Sequence, residues 1–211
     1  MNLPNKISLC RILLIPVFVF FYLATFIPFG KLIATIIFAI ACLTDFVDGK
    51  IARSRGLVTN LGKFLDSIAD KVLVMAGIIL VIACPITANG GTGNPMPVIM
   101  PDYVGIIAGI IILARELLIS AFRQIAATKN VVMAADMYGK VKATFQFITL
   151  VFYFVYAFLI EEFYYAIEGV PNTVLSLVGY VLLGVTVIMT IVSAVKYITN
   201  NRQVLKDEKK Q

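Results

Sequence analysis

The sequence predicts an all-α, polytopic membrane bundle of six transmembrane helices. Three observations lead there. Apolar residues make up 60% of the 211-residue chain and charged residues only 14%, where a soluble domain carries about 25% charged residues. The apolar residues gather in six runs, each near the roughly 20 residues that a helix needs to cross a bilayer. Basic residues collect beside alternate connections between those runs, the asymmetry that orients membrane proteins.

The runs cover 12–29, 32–47, 64–84, 103–122, 141–160 and 174–197. Lys6 and Arg11 precede the first run, as they would in a secretory leader. The run is long for a leader and no small-residue cleavage site follows it, so it reads as an uncleaved span. Only Gly49 interrupts the second helix before Gly56, so that helix should outrun its apolar stretch. Residues 50–63 are basic, and 85–102 lack Lys and Arg and are rich in Gly, Pro and Asn, which marks a loop. Residues 123–142 are basic, 161–172 carry Glu161, Glu162 and Glu168 without a cation, and the tail is basic again. Counting positive charge then puts both termini in the cytoplasm, with Lys31 the one exception. Residues 1–199 read as a single membrane domain and 200–211 as a polar cytoplasmic tail.

The net charge of +6 suits orientation and attraction to anionic lipid. Nucleic acid is not an expected partner for a chain this apolar. The three cysteines show no zinc or disulfide spacing and read as packing residues. With no histidine in the chain, any metal must rely on oxygen ligands, which favours magnesium, manganese or calcium.

Asp45 and Asp48 close the second run, and Asp66 and Asp70 open the third. On helices these spacings put Asp45 with Asp48 on one face and align Gly62, Asp66 and Asp70 on the next. A short link makes the two helices antiparallel neighbours. Carboxylates are costly in a membrane, about 2.5–3.5 kcal/mol each at a helix centre, and four together repel. Arg53, Lys63 and Lys71 could neutralise some of that charge. Two divalent ions would do so as hard cations on hard oxygens, at the separation that polarises a phosphoryl group.

Residues 45–70 read D-F-V-D-G-K-I-A-R, eight residues, then G-K-F-L-D-S-I-A-D. The segment resembles the signature of the CDP-alcohol phosphotransferases, D-x-x-D-G-x-x-A-R-x8-G-x-x-x-D-x-x-x-D, at all eight fixed residues. The resemblance implies a homodimeric bundle in a bacterial cell membrane, with a polar cavity open to the cytoplasm and CDP-diacylglycerol as phosphatidyl donor. It makes Asp45, Asp48, Asp66 and Asp70 the ligands of two Mg2+ or Mn2+ ions. Asp70 matches the general base. Gly49, Ala52, Arg53 and Gly62 match part of the CDP pocket.

The opening N-L-P-N-K-I-S-L-C-R, the segment A-R-E-L-L-I-S-A-F-R at 114–123 and G-K-V-K-A-T at 139–144 are similar to the bacterial branch of that family that uses glycerol 3-phosphate as acceptor. Ser8 and Ala143 stand where threonine is common in that branch. The residues agree with it in their charge. Arg115 and Arg123 lie about two turns apart on one side of a helix, and Lys140 and Lys142 begin the next span. A phosphate dianion needs such donors, the planar fork of arginine and the point charge of lysine. The same four residues could instead only mark the cytoplasmic boundary. Inositol phosphate would also suit them, and serine is a further acceptor used in the family.

A divalent-metal transporter is the rival class. It accounts for aspartates in a bundle, but not for their confinement to one membrane edge or for the Gly and Ala-Arg residues at fixed intervals. The orientation has a direct check. An impermeant thiol reagent added to intact cells should label a single cysteine at position 93 and should reach one at position 57 only after the cells are opened. Outside labelling at 57 would reverse the topology.

Overall fold

The computed structural model describes residues 3–54, 60–83, 102–129, 137–167 and 170–202. The backbone of 45–54 is included, but the side chains there and at Lys63 lie outside that description. So do the loop at 85–101, most of the tail, and positions 57 and 93.

Six helices follow one another: α1 (Leu3–Leu23), α2 (Gly30–Ser54), α3 (Asn60–Ala83), α4 (Asp102–Thr128), α5 (Met137–Ile167) and α6 (Val170–Asn200). No strand occurs among the described residues. Among the described residues, four stretches are long and apolar enough to cross a membrane: Asn5–Leu23, Tyr103–Thr128, Met137–Phe163 and Asn172–Asn200. In α2 the apolar stretch Gly30–Thr44 is shorter and leads into the motif residues, whose side chains lie outside the description. The start of α3 carries Asp66, Asp70 and Lys71.

The helices overrun their apolar runs. At 1.5 Å per residue, the 31 residues of α6 reach about 46 Å, beyond a hydrocarbon core of about 30 Å, while α5 is long but broken by a kink at Phe163, with φ −127° and ψ 27°. Lys140 lies just before the apolar run of α5, and Lys142 and Lys196 lie just inside the ends of the runs of α5 and α6. Large apolar side chains are exposed along every helix, among them Leu13, Ile36, Ile79, Ile110, Val155 and Ile188. Exposure on that scale marks a surface made for lipid.

The first helix ends earlier than its apolar run. It begins at Leu3, with Pro4 in the first turn where no N–H is needed, and stops at Leu23. Pro28 offers no donor and disfavours helix before it, so 24–29 form the turn into α2 despite being apolar. Phe29 adopts φ 58° there, a left-handed conformation that costs a non-glycine residue about 1–2 kcal/mol. Its N–H donates to Glu162 Oε1 at 3.0 Å, and its ring lies 6.0 Å from that of Phe158.

The chain divides into two compact units, 1–99 with 150–175, and 100–149 with 176–211. In the first, α1 packs on both α2 and α3. Its core is aromatic. Phe18, Phe38 and Phe154 are fully buried, and the Phe154 ring lies 5.0 Å from Phe38, 5.4 Å from Phe18 and 5.3 Å from Tyr22. Gly77 of α3 meets this cluster, with Phe38, Leu150 and Phe154 all within 3.4 Å of where a Cβ would lie. Lys31, the basic exception in the sequence, pairs with Glu161 at 3.3 Å and stands over the Tyr22 ring. Its charge is answered within the fold.

In the second unit Ile119, Phe122 and Ala126 of α4 pack on Tyr197 of α6. Thr149 and Thr186 share a buried hydrogen bond of 2.7 Å, the kind of polar tie that holds helices together where lipid removes the hydrophobic drive.

Gly30 tests the α1–α2 turn. A Cβ there would lie 2.8 Å from the Phe21 carbonyl oxygen and 3.2 Å from that of Ala24, both backbone atoms that cannot swing away. Gly30→Ala should therefore destabilise the protein by about 1–3 kcal/mol, the usual range for overpacking. The readout is a lower unfolding temperature in detergent. An unchanged temperature would mean that the turn yields freely.

Candidate active site

Backbone continuity delivers the motif first. Helix α2 runs unbroken through Asp45, Asp48, Gly49, Ala52 and Arg53 to Ser54, and α3 starts at Asn60. Only the link at 55–59 separates the two halves of the motif. The side chains of the α2 residues lie outside the described set, so the geometry of the carboxylates is read on α3.

There Asp66 is half-exposed, at 49%, and Asp70, one turn further on, is exposed. Gly62 is part-exposed one turn before Asp66. The three therefore occupy one side of α3 as the spacing requires. Asp66 Oδ1 accepts a hydrogen bond from Arg11 Nη1 at 3.3 Å. Arg11 is 1% exposed, and a buried arginine is rare without a paired anion. Lys71, a candidate to neutralise the aspartates, instead turns back on its own helix and donates to the Ser67 carbonyl at 3.1 Å and to its hydroxyl at 2.5 Å. Among the described residues, the cation that answers Asp66 comes from α1.

Arg11 is thus a candidate site residue that spacing within the motif could not reveal. Its signal lay in the N-terminal segment, where it counted toward orientation and closed the opening N-L-P-N-K-I-S-L-C-R. The neighbouring Lys6 is exposed, so two similar charges on one helix have different tasks.

Asp66 and Asp70 also bear on whether the site suits a hard divalent ion. They offer carboxylate oxygens one turn apart, are accessible, and stand beside a guanidinium whose presence shows that a cation is favourable at Asp66. That donor chemistry fits magnesium or manganese.

The four candidate anion-binding residues are brought together only in part. Arg115 is 12% exposed and lies 3.7 Å from Glu116 through Nη1, while its Nη2 donates to Ser193 Oγ at 2.6 Å. Lys142, 1% exposed, donates to the other oxygen of the same Glu116 carboxylate. Glu116 therefore gathers Arg115 and Lys142 at one point. Gly139 has Arg115 Nη2 3.9 Å from where its Cβ would lie, which keeps the N-terminal turn of α5 close to that guanidinium. Lys140 on this turn is exposed. Arg123 is set apart: it donates from Nε to the Tyr197 hydroxyl at 3.0 Å, with its guanidinium carbon 5.4 Å from the Tyr197 ring centroid. The eight-residue spacing put Arg115 and Arg123 on one side of α4, but each has its own partner on α6.

The arrangement supplies two chemical capabilities. One is a set of accessible carboxylates with a buried guanidinium, suited to a metal-bound diphosphate. The other is a buried lysine and a partly buried arginine sharing one carboxylate, with an exposed lysine nearby, suited to an incoming anion.

Comparison with known proteins agrees with the motif. The family model described as CDP-alcohol phosphatidyltransferase matches residues 1–192. The chain is similar to a CDP-diacylglycerol–glycerol-3-phosphate 3-phosphatidyltransferase of Bacillus subtilis, 36% identical over 97% of each chain. It is similar to proteins of the same description from Shigella flexneri serotype 5b, at 34% over 98% of each, and Rickettsia bellii, at 32% over 93% of each. With the family model covering nearly the whole chain and the eight-residue signature intact on α2 and α3, this protein belongs to the CDP-alcohol phosphatidyltransferase family.

Proposed function

We propose that the protein transfers the phosphatidyl group of CDP-diacylglycerol to glycerol 3-phosphate, giving phosphatidylglycerophosphate and CMP. The observation that carries the reading is the complete signature at 45–70, joined to relatives of that description whose full lengths the chain matches. On this reading residues 1–199 act as one catalytic domain with six membrane spans. The α2 and α3 helices are spans whose polar ends enclose a cavity open to the cytoplasm, and both termini lie on that side. The working form is a homodimer in the cell membrane.

Asp45, Asp48, Asp66 and Asp70 hold two Mg2+ or Mn2+ ions. When bound, these ions neutralise charge on the diphosphate and in the transition state. Gly49, Ala52 and Gly62 leave room for the cytidine diphosphate, and Arg53 supplies charge to it. Arg11 keeps Asp66 in position from behind. The primary hydroxyl of glycerol 3-phosphate attacks the phosphorus that bears diacylglycerol. A new P–O bond forms, the bond to the CMP oxygen breaks, and CMP leaves with that electron pair. Asp70 takes the hydroxyl proton. Arg115, Arg123, Lys140 and Lys142 bind the acceptor phosphate, a task that a neutral acceptor would not require.

Purified protein supplied with labelled CDP-diacylglycerol and Mg2+ or Mn2+ should release CMP with glycerol 3-phosphate and not with serine or inositol phosphate. A transporter would instead move the metal into vesicles without releasing CMP. Asp70→Asn keeps size and one oxygen but loses the basic site. It should lower turnover by at least about 10²–10⁴-fold, the range for general-base assistance, with CDP-diacylglycerol binding still measurable. Asp45→Asn or Asp48→Asn should weaken metal-dependent nucleotide binding itself. Near-normal turnover in Asp70→Asn at saturating metal would remove Asp70 from the role of base.

Alanine at Arg115, Arg123 or Lys140 should raise the apparent KM for glycerol 3-phosphate more than that for CDP-diacylglycerol. Because Arg115 shares Glu116 with Lys142 and Arg123 is committed to Tyr197, the effect should be larger at 115 than at 123. Equal effects on both substrates would assign these residues to the fold.

A further inference from the structure

The second unit contains a file of buried polar side chains that binding of a phosphate does not account for. On α5, Lys142, Gln146 and Thr149 are 1%, 4% and 4% exposed, and spacings of four and three place them on one face. On α6, Thr186, Thr190 and Ser193 are buried at similar spacings. Lys142 has Glu116. Thr149 has Thr186 at 2.7 Å. Thr190 donates to the Thr186 carbonyl at 2.7 Å, and Ser193 accepts from Arg115 at 2.6 Å.

Gln146 differs from all of these. Its carboxamide oxygen and nitrogen are both buried, and neither has a hydrogen-bond partner among the described residues. A carboxamide offers two N–H donors and an oxygen with two lone pairs. Burying it without partners is unfavourable, and a leucine or methionine would fill the same volume without that cost. A native structure that keeps such a group gives it a partner of another kind.

We propose that Gln146 selects the acceptor, its carboxamide hydrogen-bonding the unreactive secondary hydroxyl of glycerol 3-phosphate. The proposal rests on the reading of Arg115 and Lys142 as phosphate ligands. Gln146 lies one turn along α5 from Lys142, a rise of about 6 Å, which matches the reach from the phosphate to the hydroxyls of a three-carbon polyol phosphate. A hydroxyl both gives and takes a hydrogen bond, and so does a carboxamide. A site that hydrogen-bonds a hydroxyl rejects an analogue without it, because the buried polar group is then left unpaired.

The test compares wild type and Gln146→Met, full-length in lipid–detergent micelles, on two acceptors. These are glycerol 3-phosphate and 3-hydroxypropyl phosphate, which keeps the phosphate and the primary hydroxyl but lacks the secondary one. Wild type should prefer glycerol 3-phosphate by about tenfold to a hundredfold in kcat/KM, the range for a hydrogen bond whose loss strands a buried group. Gln146→Met should lose most of that preference by falling on glycerol 3-phosphate alone, with the KM for CDP-diacylglycerol unchanged. A preference that survives in Gln146→Met would overturn the proposal and leave the amide to an internal water. Gln146→Leu provides a second side chain of similar volume. Failure of both variants to give folded protein, judged by thermal stabilisation with CDP-diacylglycerol, would also overturn it, since an amide required for folding is not reserved for substrate. Absence of wild-type turnover on glycerol 3-phosphate would instead strike at the function itself and remove the proposal with it.

Discussion

A charge carried into a bundle this apolar has to meet a counter-charge, and that requirement organises both units. Isolated ions are strongly disfavoured away from water, and removing one partner of a buried pair leaves the other uncompensated. Arg11 meets Asp66, Lys31 meets Glu161, and Lys142 and Arg115 meet Glu116. Three of these pairs tie one helix to another, α1 to α3, α2 to α5 and α4 to α5, and the Arg115–Glu116 pair lies within α4. Charge pairing thus supplies part of the helix registration that hydrophobic contact provides in a soluble core.

The helices themselves were legible in the sequence because hydropathy reports directly on length. All six runs became helices, and α2 outran its apolar part into the motif as the residues between 47 and 56 required. The end of α1 was not legible in the same way. Residues 24–29 are as apolar as the helix before them, and Pro28, Phe29 and Gly30 determine where the chain reverses. Hydropathy records what a lipid tolerates, whereas the turn is decided by backbone donors and by φ.

The site divides along the same line. Spacing on one helix places Asp66, Asp70 and Gly62 correctly, since three- and four-residue intervals are enough to define a face. It does not show which residue comes from another helix. Arg11 stands 55 positions from Asp66, and nothing in the local pattern marks it apart from Lys6. Glu116 was visible as the neighbour of Arg115, but its capture of Lys142 from α5 was not. Spacing suggested that Arg115 and Arg123 form one group, and their partners on α6, Ser193 and Tyr197, separate them.

Glu116 also bears on the phosphate site proposed at Arg115 and Lys142. Two largely buried cations without an anion would repel and would each bear a cost of desolvation. Two cations sharing one carboxylate leave a single net positive charge, so both can be in place before any ligand arrives. Preorganisation of this kind removes the cost of assembling the site during binding. It also limits how tightly an anion is held, because the carboxylate competes for the same donors. For a transferase whose acceptor and product both carry that phosphate, a moderate hold is an advantage, since cations free of Glu116 would retain the product as firmly as they captured the substrate.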